Sequence, residues 1–257
     1  MSELSDLLYK AVMAEVFSDS SNPHIQKRVQ EGLQARDALV RIIQEDDQAV
    51  EELTNLILDD WYHTPIPEVE AKISVFSHID SEQASPQILE KLYYIANTRE
   101  EPDVTDEEFL SQDPIYREDL FPDPTTTGGS FVTIAAVKGL VHFANSSNTR
   151  TQANQYILQL LQGDNSDLQH KVLQGLWELK IPTQEILHRV LQLTTVKQPW
   201  PGEYLVRGRA IEVLGKWGIV TPEVVEAVKH AFDEAIADRV TLLYEYAEIA
   251  CQKLGIR

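Results

Sequence analysis

Apolar side chains recur every three or four residues along most of this chain, the period of helices with one buried face. The spacing predicts a short amphipathic helix over 3–17, acting as a terminal cap, then a helical pair over 24–46 and 47–60. The inward positions of that pair are Ile25, Val29, Leu33, Leu39, Ile42, Ile43, Leu53, Leu56 and Ile57. A second pair is expected over 69–79 and 85–96, where Ser85-Pro86 reads as a helix cap followed by a first-turn proline. After a break, helices resume over 131–161, 166–193, 204–232 and 238–254.

The later helices repeat one another. VLQGLWELKIPTQEILHRV (172–190) aligns without a gap under AIEVLGKWGIVTPEVVEAV (210–228), an offset of 38. Small or apolar residues coincide at Val172/Ala210, Leu173/Ile211, Leu176/Leu214, Ile181/Ile219, Ile186/Val224, Leu187/Val225 and Val190/Val228. Thr183/Thr221 and Glu185/Glu223 match as well. AAVKGLVHF lies 36 residues before KVLQGLWEL, and AEIACQKLGI lies 37 after AIEVLGKWGI. Spacings of this size suit two short helices and their turns. Thr183 and Thr221 are suited to cap the second helix of each unit, Pro222 to its first turn, and Glu185 and Glu223 to its positive start. Neither helix of a pair has enough apolar surface to stand alone, so stacking of hairpins must supply the core. Trp177 and Trp217 fall within the repeat helices and are expected in that core.

The unit resembles a HEAT repeat: a small or apolar residue, an LG-like turn as in AIEVLGKWGI, then an apolar helix. Arg207, Arg209 and Arg239 stand where that family often places a basic residue, and Asp238-Arg239-Val240 is similar to the opening of a HEAT unit. The resemblance implies an all-α, right-handed α-α superhelix of about five hairpins. It runs as one domain over 1–257: N-terminal repeats over 1–96, an irregular acidic insert over 97–130 and C-terminal repeats over 131–257. HEAT-like architectures also include phycobilin lyase subunits and DNA glycosylases, so architecture alone leaves an enzyme or a constitutive subunit of a larger complex open.

Charge divides the chain. Residues 1–130 carry 28 acidic and 9 basic side chains, whereas 131–257 carry 13 of each. The acidic half disfavours nucleic acid and anionic membrane and favours a partner with a basic surface. The densest charge lies in the insert, where Glu100, Glu101, Asp103, Asp106, Glu107, Glu108, Asp113, Glu118 and Asp119 are interleaved with Phe109, Tyr116 and Phe121. Pro102, Pro114, Pro122 and Pro124 exclude a long regular helix there. Insertions between solenoid units often lie on a binding face, so these residues are the first protein-binding candidates; a solvated connector is the plainer reading. A second candidate is TVKQPWPGEYLVRGR, in which Trp200 between two prolines stands near Tyr204, Arg207 and Arg209, a mixed aromatic and basic patch. The plainer reading has Trp200 packed over the end of the core.

Other chemistry is weakly signalled. Asp59, Asp60 and His63 match no zinc or calcium spacing and read as a helix end before a proline-rich turn. Gly128-Gly129 lacks the lysine and glycine spacing of a phosphate loop. Cys251, the single cysteine, has no histidine partner in sequence and reads as a small buried apolar residue. No metal or cofactor is expected. With no long apolar run and no secretory start, the expected location is cytoplasmic. The expected function is a non-enzymatic scaffold or adaptor that binds a protein.

Overall fold

Several described helices of this protein start where a short polar side chain satisfies the orphan amides of a first turn. The computed structural model describes residues 3–16, 22–58, 72–73, 86–97, 129–146, 148–196 and 202–256, and regular structure among them is helical throughout. The helices are α1 (Glu3–Val16), α2 (Pro23–Glu45), α3 (Asp47–Leu58), α4 (Pro86–Asn97), α5 (Gly129–Ala144), α6 (Arg150–Gln162), α7 (Ser166–Gly175), α8 (Gln184–Leu193), α9 (Gly202–Trp217), α10 (Pro222–Asp238) and α11 (Thr241–Leu254). A 3-10 turn, Leu176–Glu178, follows α7. Most of the helix expected over 69–79, nearly all of the acidic insert, the Asp59–His63 cluster and Trp200 lie outside the described residues. No described helix is long and apolar enough to cross a membrane.

The chain divides into two compact units, 1–139 and 140–257. In the first unit α1 packs on α2, and α3 packs on both. Gly32 permits the close approach of α1 and α2, because a Cβ there would fall 2.3 Å from the Lys10 carbonyl oxygen and 2.5 Å from the Ala14 Cβ. Asn22 caps α2 by accepting from the His24 N–H at 3.0 Å. Asp46 makes the joint between α2 and α3: its N–H donates to the Ile42 carbonyl, and its carboxylate accepts from the Gln48 N–H at 2.9 Å. Ile88, Leu89, Leu92, Ile95 and Ala96 form the buried stripe of α4.

The second unit is built in two layers. α7 packs on α9 and α9 on α11, while α6 packs on α8 and α8 on α10. Like helices therefore stack on like helices, one hairpin further along each time. Five of the seven apolar pairs matched at the offset of 38 supply the shared core: Val172, Leu173, Leu176, Ile186 and Val190, with their counterparts Ala210, Ile211, Leu214, Val224 and Val228, are fully buried. Two glycines let α9 and α11 approach closely. A Cβ on Gly208 would enter the Tyr246 ring, and one on Gly215 would lie 2.7 Å from the Ala250 Cα. The first helix of a hairpin ends at Gly218 with φ 65° and again, 37 residues later, at Gly255 with φ 67°. Backbone of that left-handed kind favours glycine.

The second helices begin alike. Thr183 Oγ1 accepts from the Ile186 N–H and Thr221 Oγ1 from the Val224 N–H, each at 3.3 Å. The carboxyls of Glu185 and Glu223 are held below their ordinary range, first by their own backbone N–H groups and then by Thr183 and Thr221. Replacing either threonine by alanine removes an acceptor from a first turn, and the expected loss is about 1 kcal/mol of unfolding free energy per site by urea titration. A carboxylate whose pKa is depressed by folding stabilises the fold above its unfolded pKa and loses that effect as pH falls through its folded pKa. Each alanine variant should therefore also show a shallower decline in stability on the acid side of the carboxylate range.

Candidate protein-interaction surface

Two arginines on α9 answer to opposite sides of the helix. Arg207 is 4% exposed. Its Nε donates to the Thr194 carbonyl at 2.9 Å, its Nη1 to Glu234 Oε1 at 3.0 Å, and its Nη2 closes a second bond to Glu234 Oε2. The guanidinium thus ties α9 to the end of α8 and to α10. Tyr204 is half-buried, its ring centroid 5.9 Å from the guanidinium. Arg207 is accordingly an internal clamp of the second unit, and the expected surface patch of Arg207 with Arg209 does not form.

Arg209 takes the outer side. Its guanidinium lies 5.1 Å from the Tyr246 ring centroid and 5.6 Å from that of Trp177, within cation–π range of both. Nη1 reaches Glu212 at 2.6 Å and Nε donates to His170 Nε2 at 3.2 Å. Burial, then the Arg209 charge, lowers the His170 pKa, which favours the neutral ring that this bond requires. Burial likewise raises the Tyr246 hydroxyl. One surface cluster is thereby assembled from α7, α9 and α11.

Trp177 stands at its edge, 37% exposed, with Lys216 Nζ 5.6 Å from the same ring. Expectation placed Trp177 in the core; the structure places it instead at the surface, where the Arg209 and Lys216 side chains of α9 lie against its ring. Leu176 and Leu179, on either side of it in the chain, are both buried. Trp217 is half-buried, and its Nε1 donates to the Leu176 carbonyl at 3.3 Å.

Hydrogen bonds carry this edge across successive hairpin turns. The Asn145 side chain donates to the Glu178 carbonyl and accepts from the Lys180 N–H, each at 2.9 Å. Arg150 Nη2 donates to the Ile181 carbonyl at 3.3 Å. Ile181 and Val220 project from consecutive turns at 62% and 63% exposure. Ile181 is one of the apolar positions matched between repeats, and the structure leaves it at the surface, whereas sequence reasoning passed over Val220.

No protein-family model matches the chain. No curated protein matches it either. Among solved structures, the crystal structure of an engineered protein aligns with 99% of this chain and 97% of its own, at 13% identity and a TM-score of 0.42. A superposition that loose transfers neither fold nor function.

Elsewhere among the described residues, no three His, Cys, Asp or Glu side chains converge as metal ligands would. Cys251 is half-buried, and burial raises its thiol pKa, which disfavours the thiolate a nucleophile needs.

Proposed function

We propose that this chain is a HEAT-like right-handed superhelix of about five hairpins, working as a non-enzymatic scaffold whose acidic half engages a protein with a basic surface. The observation that carries the reading is the layering of the second unit, in which like helices stack at the spacing of the sequence repeat under identical threonine caps. Each hairpin added in that way extends a surface without altering its predecessor, which is how helical repeats make long binding faces. The net charge of −19 supplies the sign of the partner, and the carboxylates from Glu100 to Asp123 supply its densest site.

Affinity capture from native extract tests this, using the full chain beside a variant with the ten acidic residues from Glu100 to Asp123 changed to Asn or Gln. The expected outcome is a basic partner that is lost at raised salt and bound about tenfold more weakly by the variant. Equal capture by both chains removes the insert from the mechanism. A constitutive subunit is the second reading, favoured by Ile236 and Ile249, which the last helical pair leaves 55% and 46% exposed. Native mass separates the readings: a constitutive complex keeps its mass across salt concentrations at which a regulated one dissociates.

A further inference from the structure

An arginine guanidinium stays protonated at every pH a protein meets, so the Arg209 Nε–H can only donate. Its partner, His170 Nε2 at 3.2 Å, must therefore be the bare nitrogen of a neutral ring that carries its proton on Nδ1. One further proton abolishes this contact. The imidazolium has an N–H at both nitrogens, so Nε2 would then face the arginine donor with a donor of its own, and two positive charges would meet at hydrogen-bond distance.

The surroundings do little to hold a charged ring in place. Arg209 of α9 opposes protonation, as does Lys171 of α7, while Asp167 of α7 favours it. Asp167 is already engaged by Lys171 at 2.8 Å. Glu178, in the 3-10 turn after α7, is exposed to solvent. α6, which also packs on α7, has Arg150 as its only charged residue, and that side chain is bonded to the Ile181 carbonyl. Arg209 itself has a second place to go. Glu212 holds Nη1 at 2.6 Å from within α9, and that bond needs nothing from α7. The guanidinium thus has two arrangements open to it: drawn to His170 beside the Trp177 and Tyr246 rings, or withdrawn to Glu212 alone.

We propose that His170 and Arg209 form a proton-operated latch across α7, α9 and α11. The neutral ring holds Arg209 against the two aromatic rings, and protonation of His170 releases the guanidinium to Glu212, so that Trp177 and Tyr246 lose the cation they share. Burial and the Arg209 charge both oppose the imidazolium, so the latch is closed at neutral pH and opens below the ordinary histidine value of about 6.5. Because the unfolded chain takes up this proton first, the stability that the closed latch contributes is present above about pH 6.5 and is lost as pH falls through the folded value. The device goes beyond the proposed function: it lies in the second unit, uses none of the acidic residues assigned there, and makes one layer of helices sensitive to mild acid.

Nuclear magnetic resonance of the isotope-labelled full chain, titrated from about pH 8 to about pH 5, tests it. The His170 ring signals are assigned by their loss in His170→Gln, and the Arg209 Nε–H signal by its loss in Arg209→Lys. The expected ring at neutral pH is the Nδ1–H tautomer, the one that free histidine disfavours. It should titrate with a midpoint below about 6.5, and the Arg209 Nε–H signal should shift with the same midpoint. In His170→Gln an acceptor that does not titrate replaces the ring, and the Arg209 signal should stay fixed across the range. In His170→Lys a permanent cation replaces it, and the Arg209 signal should sit at its acid position at every pH. Circular dichroism checks that both variants fold, and the titration of the parent chain decides the matter if either does not. The latch is overturned by a neutral ring protonated on Nε2, by a His170 midpoint at or above about 6.5, or by an Arg209 signal that ignores the titration of the ring. An Arg209 signal that moves equally in His170→Gln also overturns it, because another group then drives the change.

Discussion

Arg207→Met should lower the unfolding free energy by about 3 kcal/mol, among the largest losses available to a single polar side chain here. The guanidinium is 5% exposed and Glu234 is 27% exposed, so the pair is largely withdrawn from water. Methionine keeps much of the volume but removes the bidentate contact and the donor to the Thr194 carbonyl. What remains is a partly buried carboxylate with one strong partner gone, and the cost of that stranded charge dominates the effect. Glu234→Gln should cost less, because a neutral amide still offers an acceptor to the guanidinium. The double variant Arg207→Met with Glu234→Gln should lose less than the sum of the singles, since neither charge is then left behind. Urea unfolding of the four proteins measures the cycle. Single variants within about 0.5 kcal/mol of the parent would mean that the clamp contributes no more than an ordinary surface substitution.

Gly215→Ala should be destabilising by about 1–3 kcal/mol, although alanine is the better helix former by about 1 kcal/mol. The new methyl would meet the Ala250 Cα at 2.7 Å and its Cβ at 2.8 Å, and backbone cannot turn aside as a side chain can. Relief requires α9 and α11 to separate, which loosens contacts along both helices. Gly208→Ala should cost less, because the obstructing atoms belong to the Tyr246 ring, which can rotate. That rotation should move Tyr246 away from Arg209. Gly163 is the control: a Cβ there meets nothing within 4 Å, and its φ of −62° suits alanine. Gly163→Ala should be neutral or stabilising by up to about 1 kcal/mol through the unfolded chain. Thermal melts of the three variants decide the matter, and a Gly215→Ala protein that melts above the parent would exclude the close packing of α9 on α11.

Sequence reading succeeded where the decisive chemistry is local. Thr183 and Thr221 announced their helices because a cap needs only a hydroxyl three residues before the amide it accepts from. The helices predicted over 24–46, 85–96 and 238–254 appear as Pro23–Glu45, Pro86–Asn97 and Thr241–Leu254, shifted by three residues at most. The paired patch of Arg207 and Arg209 failed on geometry that the sequence already contained. Two residues apart on a helix means roughly 200° around its axis, so the two side chains cannot share a face.

By itself, the amino-acid order determined where most of the described helices fall, the threonine caps of α8 and α10, which apolar positions repeat and which half carries the charge. These follow from interactions spanning a few residues or from composition. Only the tertiary structure decided that Arg207 is an internal clamp, because Thr194 and Glu234 lie 13 and 27 residues away and meet it through packing. It also decided that Trp177 faces outward under Arg209 and Lys216, because those cations belong to α9, distant in sequence, and meet the ring only through packing. The tryptophan that periodicity assigned to the core is therefore the centre of the exposed edge.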